Sequence, residues 1–390
     1  MIRLLLNADL YAPEPLGPGH VLVAGERIIW VGREPPELPA SLDAERVDLD
    51  GARLIPGLID CHAHLTGGGG EAGPETRVPP VPLSRFTTAG VTTVIGVLGT
   101  DDLIRTPAEL VTTARGLEAE GLTAYTLTGG YHVPPATVTG TVRGDIVLID
   151  RILGVGELAL SDHRSSQPTR DELLRIASDA HVAGMMTGKA GIVHLHLGDG
   201  PRGLDLVREA LSASELPRTV FHPTHVNRRR ALFDEACALA RDGTVIDITA
   251  FPVGSDEDAW PADEALARYL AASLPPENVT VSSDAGGCLP EFDANGRVTR
   301  MDVGSPATLA ATLRALLARG EPLARILPAF TANVARLFRL PRKGRIAPGG
   351  DADLVVLDAA GEIRDVIVRG QWHVRSGLPV RHGTFETTAM

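Results

Sequence analysis

Two histidines close the apolar run Leu54-Ile55-Pro56-Gly57-Leu58-Ile59-Asp60-Cys61-His62-Ala63-His64. Side chains at positions i and i+2 of an extended chain point to the same side. A neutral imidazole is a common metal ligand in proteins. His62 and His64 therefore supply half of a metal site at the end of a strand, and the other ligands must come from other strand ends.

Seven more short apolar runs follow, each with an amphipathic stretch rich in Ala, Leu and Arg beside it. They cover residues 91–97, 123–127, 155–160, 192–197, 220–225, 245–249 and 279–282. With 54–62 as the first strand, the chain has eight βα repeats, which predict an α/β fold of the (β/α)8 TIM-like barrel type. The loop 250–263 is the predicted mobile lid.

Strand patterns also occupy both ends of the chain. Residues 21–32 predict a hairpin with a Gly-Glu turn, and residues 353–357 run apolar as a sheet strand does. We therefore predict a small β-sandwich domain built from both ends and a metal-dependent hydrolase barrel between them. Their predicted bounds are 1–53 plus 345–390 and 54–344.

Composition limits the classes of partner and compartment. The formal net charge of -12 argues against nucleic acid, whose phosphates require a basic face. No run approaches the ~20 apolar residues of a membrane span. The three cysteines, Cys61, Cys237 and Cys288, form no disulfide pattern, so we expect a reducing, cytoplasmic location. A homo-oligomer is expected.

Polar residues at the carboxyl ends of the strands are the candidate ligands, because chemistry in such barrels takes place there. They are His62, His64, Glu157, His194, His196, His222, His225 and Asp284. We expect His194 and His222 to be hydrogen-bonded core residues, and for Asp284 a helix N-cap is the alternative. The remaining set suits two divalent metal ions, and nitrogen and oxygen ligands favour zinc.

Charged residues beside these strand ends indicate the substrate. Arg164 and Arg228 follow the fourth and sixth strands, and an Arg fork there matches a carboxylate. Glu71 lies in a glycine-rich loop, and its carboxylate would suit an ammonium group. Ordinary surface roles for these residues remain the alternative. Together they indicate a zwitterionic substrate, such as a small dipeptide with free ends.

At this point the motifs resemble a known family. Residues 56–64 are similar to the opening motif of the amidohydrolase superfamily. Five further motifs resemble, in order, one branch of it, the isoaspartyl (β-aspartyl) dipeptidases. They cover residues 67–74, 98–101, 127–134, 161–165 and 223–228, and the resemblance runs from about residue 50 to Glu386. The most specific motifs are the glycine run 67–70, Tyr131-His132-Val133-Pro134 and Thr224-His225-Val226-Asn227-Arg228.

The resemblance implies a role for each metal ligand. His62 and His64 would bind the more buried metal with Asp284, and His196 and His225 would bind the second. In well-known relatives the bridging carboxylate is a carbamylated lysine at the end of strand four. This chain has only Lys189 and Lys343, and neither lies there. We expect Glu157 to bridge instead. The alternative is that Glu157 forms an unrelated salt bridge and the site holds one metal.

The resemblance also implies the substrate contacts and the reaction. Glu71 would hold the α-ammonium of the aspartyl unit, Arg164 and Arg228 would hold carboxylates, and Thr100 would assist. Tyr131 would polarise the scissile carbonyl. A metal-activated hydroxide would attack, with Asp284 accepting its proton and passing it to the leaving amine.

One departure concerns Cys288, which stands where relatives carry serine. A thiol is a weaker hydrogen-bond donor than a hydroxyl, so carboxylate binding would be weaker or the preferred substrate different.

Three other functions stay open on the sequence. The first is hydrolysis of another N-acyl amino acid, a lactam or a cyclic amide. The second is a nucleotide-dependent oxidoreductase, because residues 154–159 have the G-x-G-x-x-A spacing. The third is a non-catalytic assembly protein of the same fold, although the candidate ligands are all present.

Overall fold

The structure is a computed structural model that describes residues 1–39, 41–292 and 298–386. Its strands are β1 (Ile2–Tyr11), β2 (Pro15–Ala24), β3 (Arg27–Gly32), β4 (Ala44–Asp48), β5 (Arg53–Pro56), β6 (Leu58–Ala63), β7 (Val91–Gly96), β8 (Thr123–Thr128), β9 (Ile152–Leu160), β10 (Val193–Leu197), β11 (Phe221–Thr224), β12 (Ile246–Thr249), β13 (Val279–Ser282), β14 (Cys288–Phe292), β15 (Val298–Val303), β16 (Leu354–Leu357), β17 (Ile363–Val368), β18 (Gln371–Arg375) and β19 (Leu378–Pro379).

Its helices are α1 (Leu83–Thr88), α2 (Pro107–Glu120), α3 (Val142–Leu148), α4 (Arg170–Thr187), α5 (Asp205–Ser212), α6 (Arg230–Arg241), α7 (Ala262–Ala271), α8 (Ala307–Ala318), α9 (Leu323–Ile326) and α10 (Ala332–Leu337). Among the described residues, no helix combines the length and apolar character that crossing a membrane requires.

Eight parallel strands, β6 to β13, form the barrel. Strands β6 to β11 pair in chain order, and β12 pairs with β13 and lies beside β11. A bridge between Ala63 and Ala285 joins the ends of β6 and β13. Each strand is followed by one of the helices α1 to α8. Apolar side chains between strands and helices, such as Leu158 and Leu195, form the largest buried cluster. The predicted (β/α)8 fold is confirmed.

The two chain ends meet in one mixed sheet, hereafter the terminal sheet. Its hydrogen-bonded order is β19-β18-β17-β16-β5-β1-β2-β3, with β4 beside β1. The predicted hairpin is present as the antiparallel pair β2 and β3. Leu5, Val21, Leu54 and Leu354 are buried in a separate apolar cluster of this sheet. The proposed domain bounds at 53/54 and 344/345 stay a prediction.

Local sequence explains where the longer helices begin and end. The Thr169 hydroxyl caps α4 by accepting a hydrogen bond from the Glu172 backbone N–H, and the Glu172 carboxylate accepts one from the Thr169 backbone N–H, which makes a capping box. Gly188 ends the same helix in the left-handed conformation. The cap on α4 directly follows the loop 161–168 at the carboxyl end of β9, so it fixes where that loop ends.

The structure differs from the sequence prediction at the first strand. The run 54–62 is two strands, because β5 pairs with β16 in the terminal sheet while β6 pairs with β7 in the barrel. The change falls at Gly57, where a Cβ atom would lie 2.2 Å from Thr92 Oγ1. The predicted nucleotide motif at 154–159 lies within β9 and not in a strand-to-helix turn, so that alternative is wrong.

Candidate active site

The predicted metal ligands lie on five strands and meet at the carboxyl end of the barrel. His62 lies in β6, Glu157 in β9 and His196 in β10, all of them buried. His225 and Asp284 follow β11 and β13 with positive φ angles of 60° and 53°. Residues other than glycine seldom adopt that conformation, although Asp and His do so more often than most.

Asp284 faces the histidine pair of the first strand. Its Oδ1 atom lies 3.1 Å from His64 Nε2 and 3.4 Å from His62 Nε2. Burial raises the pKa of the Asp284 carboxyl, but the two imidazoles outweigh it and hold that pKa below its ordinary value. Asp284 is therefore a carboxylate, as both a metal ligand and a proton acceptor require.

Glu157 lies between the two halves of the cluster. Its Oε2 atom is 3.0 Å from His196 Nδ1 and 3.5 Å from both His62 Nε2 and His225 Nε2. Its Oε1 atom is 3.5 Å from His64 Nε2. Burial opposes its charge, yet His62 and His196 hold the pKa of this carboxyl well below the ordinary value. One carboxylate thus faces all four histidines.

The cluster fits divalent cations. Three buried atoms that point into it, His62 Nε2, Glu157 Oε1 and Asp284 Oδ1, have no hydrogen-bond partner among the described residues. Two sets of ligand atoms are close enough to share an ion, and they are His62, His64 and Asp284, and His62, Glu157 and His225. Burial, and after it His196, lowers the pKa of His225 to about 4, so its imidazole is neutral and able to coordinate.

Neither lysine reaches this cluster, as the sequence predicts. Lys189 Nζ donates to the carbonyl oxygens of Ile146 and Ile149 near the end of α3. Lys343 Nζ lies 2.5 Å from Asp353 and 2.7 Å from Thr123, the first residue of β8. Thr123 marks the amino end of the barrel, so Lys343 is at the end opposite the cluster.

The predicted substrate residues form a second cluster beside the first. Thr100 Oγ1 donates to Glu71 Oε1 over 3.0 Å, and an Arg164 nitrogen lies 3.5 Å from the same oxygen. The Arg164 guanidinium lies 5.4 Å from the centre of the Tyr131 ring. The Tyr131 hydroxyl in turn is 2.9 Å from His196 Nδ1. Tyr131 therefore links the two clusters.

The glycine-rich loop that carries Glu71 is shaped by its close contacts. Gly67 has a φ of 79°, and a Cβ atom there would lie 1.9 Å from the Val78 carbonyl oxygen. Arg105, which is buried, donates to the carbonyl oxygens of Gly68 and Val78. The loop is thus held from both sides, which fixes the position of Glu71.

Arg228 and Cys288 complete the predicted set. Arg228 donates to the Leu197 carbonyl oxygen over 2.8 Å and lies 3.3 Å from His196 Nε2. Cys288 is half-buried beside the glycine-rich loop, where its Cβ lies 3.4 Å from the Cβ position of Gly69. Burial, and then Glu71, raises the pKa of the Cys288 thiol to about 11, so the thiol keeps its proton at neutral pH.

Sequence reasoning did not single out two buried carboxylates near the site. Asp162 accepts hydrogen bonds from Arg164 Nε and Nη2 over 3.0 and 2.7 Å and lies 3.1 Å from His196 Nε2. Asp247 lies inside β12. Its signal was visible as the one charge in the run Val245-Ile246-Asp247-Ile248-Thr249. His194 and His222 are buried and hydrogen-bonded, as expected.

The sequence profile of the Amidohydrolase family matches residues 53–373. The chain belongs to the amidohydrolase family. A beta-aspartyl dipeptidase from thermophilic keratin-degrading Fervidobacterium islandicum AW-1, solved in complex with beta-Asp-Leu dipeptide, is 43% identical with a TM-score of 0.90. That alignment covers 97% of this chain and 98% of the other. The resemblance to isoaspartyl dipeptidases is confirmed, and this amidohydrolase is an enzyme of the hydrolase class.

More distant relatives of this amidohydrolase include imidazolonepropionases. The one from Anaeromyxobacter dehalogenans is 28% identical over 371 residues, which cover 86% of this chain and 83% of that protein. The one from Pseudomonas aeruginosa is 39% identical over 124 residues, and the chain spans 30% of that protein's length. The match to the beta-aspartyl dipeptidase therefore covers more of the chain at higher identity.

Proposed function

We propose that this amidohydrolase hydrolyses the isopeptide bond of β-aspartyl dipeptides. The observation that carries the proposal is the Glu71–Arg164 pair, 3.5 Å apart, one tyrosine away from the histidine–carboxylate cluster. An anionic and a cationic side chain at this spacing match an ammonium and a carboxylate on one carbon atom. The free amino-acid head of a substrate would therefore lie beside Tyr131.

The same pair favours a β-linked aspartate over an α-linked one. In a β-aspartyl peptide the α-ammonium and α-carboxylate are both free and share a carbon, while the side-chain carbonyl forms the scissile amide. In an α-aspartyl peptide the α-carboxyl is consumed in the amide, so Arg164 would lose its partner next to Glu71. Arg228 would bind a carboxylate as well, and a dipeptide carries two.

We propose that His62, His64 and Asp284 hold one metal ion, that His196 and His225 hold another, and that Glu157 lies between them. Zinc is the proposed metal, because nitrogen and oxygen donors suit it. Two such ions would supply a water of lowered pKa and polarise the scissile carbonyl.

The proposed proton path uses residues of this chain. Asp284 accepts the proton of the attacking water and passes it to the amine that leaves. Tyr131 donates its hydroxyl hydrogen to the carbonyl oxygen as negative charge develops there. Burial, with Glu157 adding to it, holds the pKa of Tyr131 well above 10, so the phenol has a proton to give at neutral pH.

The test is leucine release from β-Asp-Leu and from α-Asp-Leu by zinc-loaded enzyme. Cleavage of the β-linked peptide alone is the expected result. A panel with an N-acetyl amino acid, a lactam and a hydantoin covers the alternative that another N-acyl amino acid or cyclic amide is the substrate. Turnover of one of these with no release from β-Asp-Leu would replace the substrate but keep the metal centre. A homo-oligomeric assembly and a cytoplasmic location stay predictions, which size-exclusion chromatography with light scattering and cell fractionation would test.

A further inference from the structure

We infer that Asp247 is a positioning residue that sets which ring nitrogen carries the proton in His62 and in His225, through two directed chains of hydrogen bonds. The inference rests on the proposed metal centre, in which these two histidines belong to different ions. It assigns a role to a carboxylate in the barrel interior that touches neither metal ligand directly.

Asp247 is a pure acceptor at the start of both chains. It is buried in β12 and accepts hydrogen bonds from four side chains. Thr280 Oγ1 (2.6 Å) and Cys61 Sγ (3.2 Å) donate to its Oδ1 atom, and Thr224 Oγ1 (2.7 Å) and Ser282 Oγ (2.5 Å) donate to its Oδ2 atom. The two oxygens of a carboxyl group that accepts from four donors have no acceptor site left to offer, so the hydroxyls of Thr280 and Thr224 both direct their hydrogen atoms to Asp247.

The first chain leads from Thr280 to His62. Since Thr280 gives its proton to Asp247, its oxygen must accept from His222 Nε2, 3.1 Å away. A neutral His222 protonated on Nε2 accepts on Nδ1, so His194 Nδ1 donates to it over 2.9 Å. His194 then accepts on Nε2 from His62 Nδ1, 2.8 Å away. In the neutral form that coordination of a metal ion requires, His62 therefore keeps its lone pair on Nε2, the atom that faces Asp284 and Glu157.

The second chain leads from Thr224 to His225. Thr224 Oγ1 lies 3.3 Å from Thr249 Oγ1. Because the Thr224 hydroxyl donates its hydrogen atom to Asp247, the Thr249 hydroxyl must be the donor in the Thr224–Thr249 pair. Thr249 then accepts from His225 Nδ1 over 2.8 Å. His225 keeps its lone pair on Nε2, which is the atom 3.5 Å from Glu157. Both chains thus leave the nitrogen that faces the metal cluster free to coordinate.

One observation supports this arrangement, and a second raises an alternative that the hydrogen bonds exclude. Burial lowers the pKa of His222 to about 4, so its imidazole is neutral at neutral pH, as the first chain requires. Cys61, His222 and Asp247 are also close enough to hold an ion. However, four donors already fill the oxygens of Asp247, and Thr280 occupies His222 Nε2, so this group of residues is a hydrogen-bond network and not a third metal site.

The test breaks one chain at a time. Thr280→Val removes the first chain and Thr249→Val the second, with little change in volume. We expect each variant to weaken one metal about 10- to 100-fold, the one held by His62 or the one held by His225. Chelator competition would measure both dissociation constants, and ¹¹³Cd NMR of the cadmium-loaded enzyme would show which of two resonances is lost.

Asp247→Asn tests the direction of the hydrogen bonds in the two chains, and Asp145→Asn is its matched control. An amide has a donor on one side, so Thr280 or Thr224 would have to accept there, and one chain would reverse and place a proton on its terminal Nε2. Asp145 is also buried and accepts four hydrogen bonds, from Thr128, from the Val138 backbone and from the backbone and hydroxyl of Thr139. Asp145→Asn should lower the melting temperature and leave both metal affinities unchanged.

The outcomes separate the inference from the proposed function. Two metals in the wild type with unchanged affinities in Thr280→Val, Thr249→Val and Asp247→Asn would overturn the inference alone. Equal loss of both metals in every variant, Asp145→Asn included, would show a merely structural role and overturn it too. A wild-type enzyme that binds no metal would overturn the proposed metal centre, and the inference with it.

Discussion

The two ends of the barrel differ in how their buried charged side chains are paired. At the amino end, the Lys343 ammonium is satisfied by Thr123, Asp351 and Asp353, the last of which immediately precedes β16 of the terminal sheet. At the carboxyl end, His62, Glu157 and Asp284 each keep a buried atom without a hydrogen-bond partner among the described residues. Buried charges are normally paired or hydrogen-bonded, so the paired charges of the amino end suit a stable core and the open atoms of the carboxyl end suit a ligand.

The largest expected effect comes from removing the proton acceptor at the carboxyl end. Asp284→Asn should lower kcat/KM for β-Asp-Leu about 10³-fold with little change in melting temperature. The substitution keeps the shape of the side chain but removes its charge and most of its basicity. A fully active asparagine variant would exclude Asp284 from proton transfer and break the assignment of function to this end.

Removing the central carboxylate should change the metal content. Glu157→Ala should bind fewer than two metal ions per chain, because this side chain faces all four ligand histidines. Inductively coupled plasma mass spectrometry of the dialysed enzyme measures the stoichiometry. Glu71→Ala is the control, since it should keep both ions and lose substrate binding. Two ions in Glu157→Ala would reject the bridging role.

The amino end should respond in stability and not in chemistry. Lys343 and Asp353 have side chains that are each 5% exposed, so Lys343→Met leaves the buried Asp353 carboxylate with the Arg369 N–H but without its cation. We expect a loss of about 3 kcal/mol in the free energy of unfolding, with kcat per folded molecule unchanged. Urea denaturation and active-site titration measure the two quantities. A fall in kcat at full folding would mean that the two ends are coupled.

The residues that meet at the carboxyl end of the barrel are easier to identify in the sequence than the division of the first strand at Gly57, for a physical reason. Candidate metal ligands are histidines and carboxylates at strand ends, so His62, His64, Glu157 and Asp284 stand out in the sequence as polar residues that interrupt or end apolar runs. The split at Gly57 was invisible, because an apolar run stays apolar when it passes from one sheet to another. The role of Asp247 was equally hidden, because its partner Cys61 is 186 positions away in the chain and contacts it only across the barrel interior.

A pH experiment tests the terminal sheet that closes the amino end. His373 in β18 is buried, and neither ring nitrogen has a hydrogen-bond partner among the described residues. Burial, helped by Arg381, lowers its pKa from 6.5 to about 4. Between pH 6.5 and pH 4, the His373 imidazole therefore binds a proton in the unfolded chain but not in the folded chain. The stabilising contribution of neutral His373 is complete above pH 6.5 and is lost as the pH falls toward 4, by at most about 3 kcal/mol.

The measurement is the difference in melting temperature between wild type and His373→Leu across this range. The variant has no imidazole to protonate, so its stability should fall less between pH 6.5 and pH 4.5. Parallel curves for the two proteins would show that His373 takes up its proton in the folded state at an ordinary pKa. Activity at neutral pH should be the same in both, since β18 lies outside the carboxyl end.

The smallest expected effect tests how finely the carboxyl end is tuned. Cys288 lies beside the loop that carries Glu71, and its thiol keeps its proton at neutral pH, so it can donate a hydrogen bond only weakly. Cys288→Ser should lower KM for β-Asp-Leu about two- to fivefold, the effect of a hydrogen bond improved by ~0.5–1 kcal/mol, and leave kcat unchanged. Cys237→Ser, in α6 on the outside of the barrel, should change neither constant. An unchanged or raised KM in Cys288→Ser would show that this thiol does not contact the substrate. Arg164 and Arg228 would then be the proposed carboxylate-binding residues that remain at the carboxyl end.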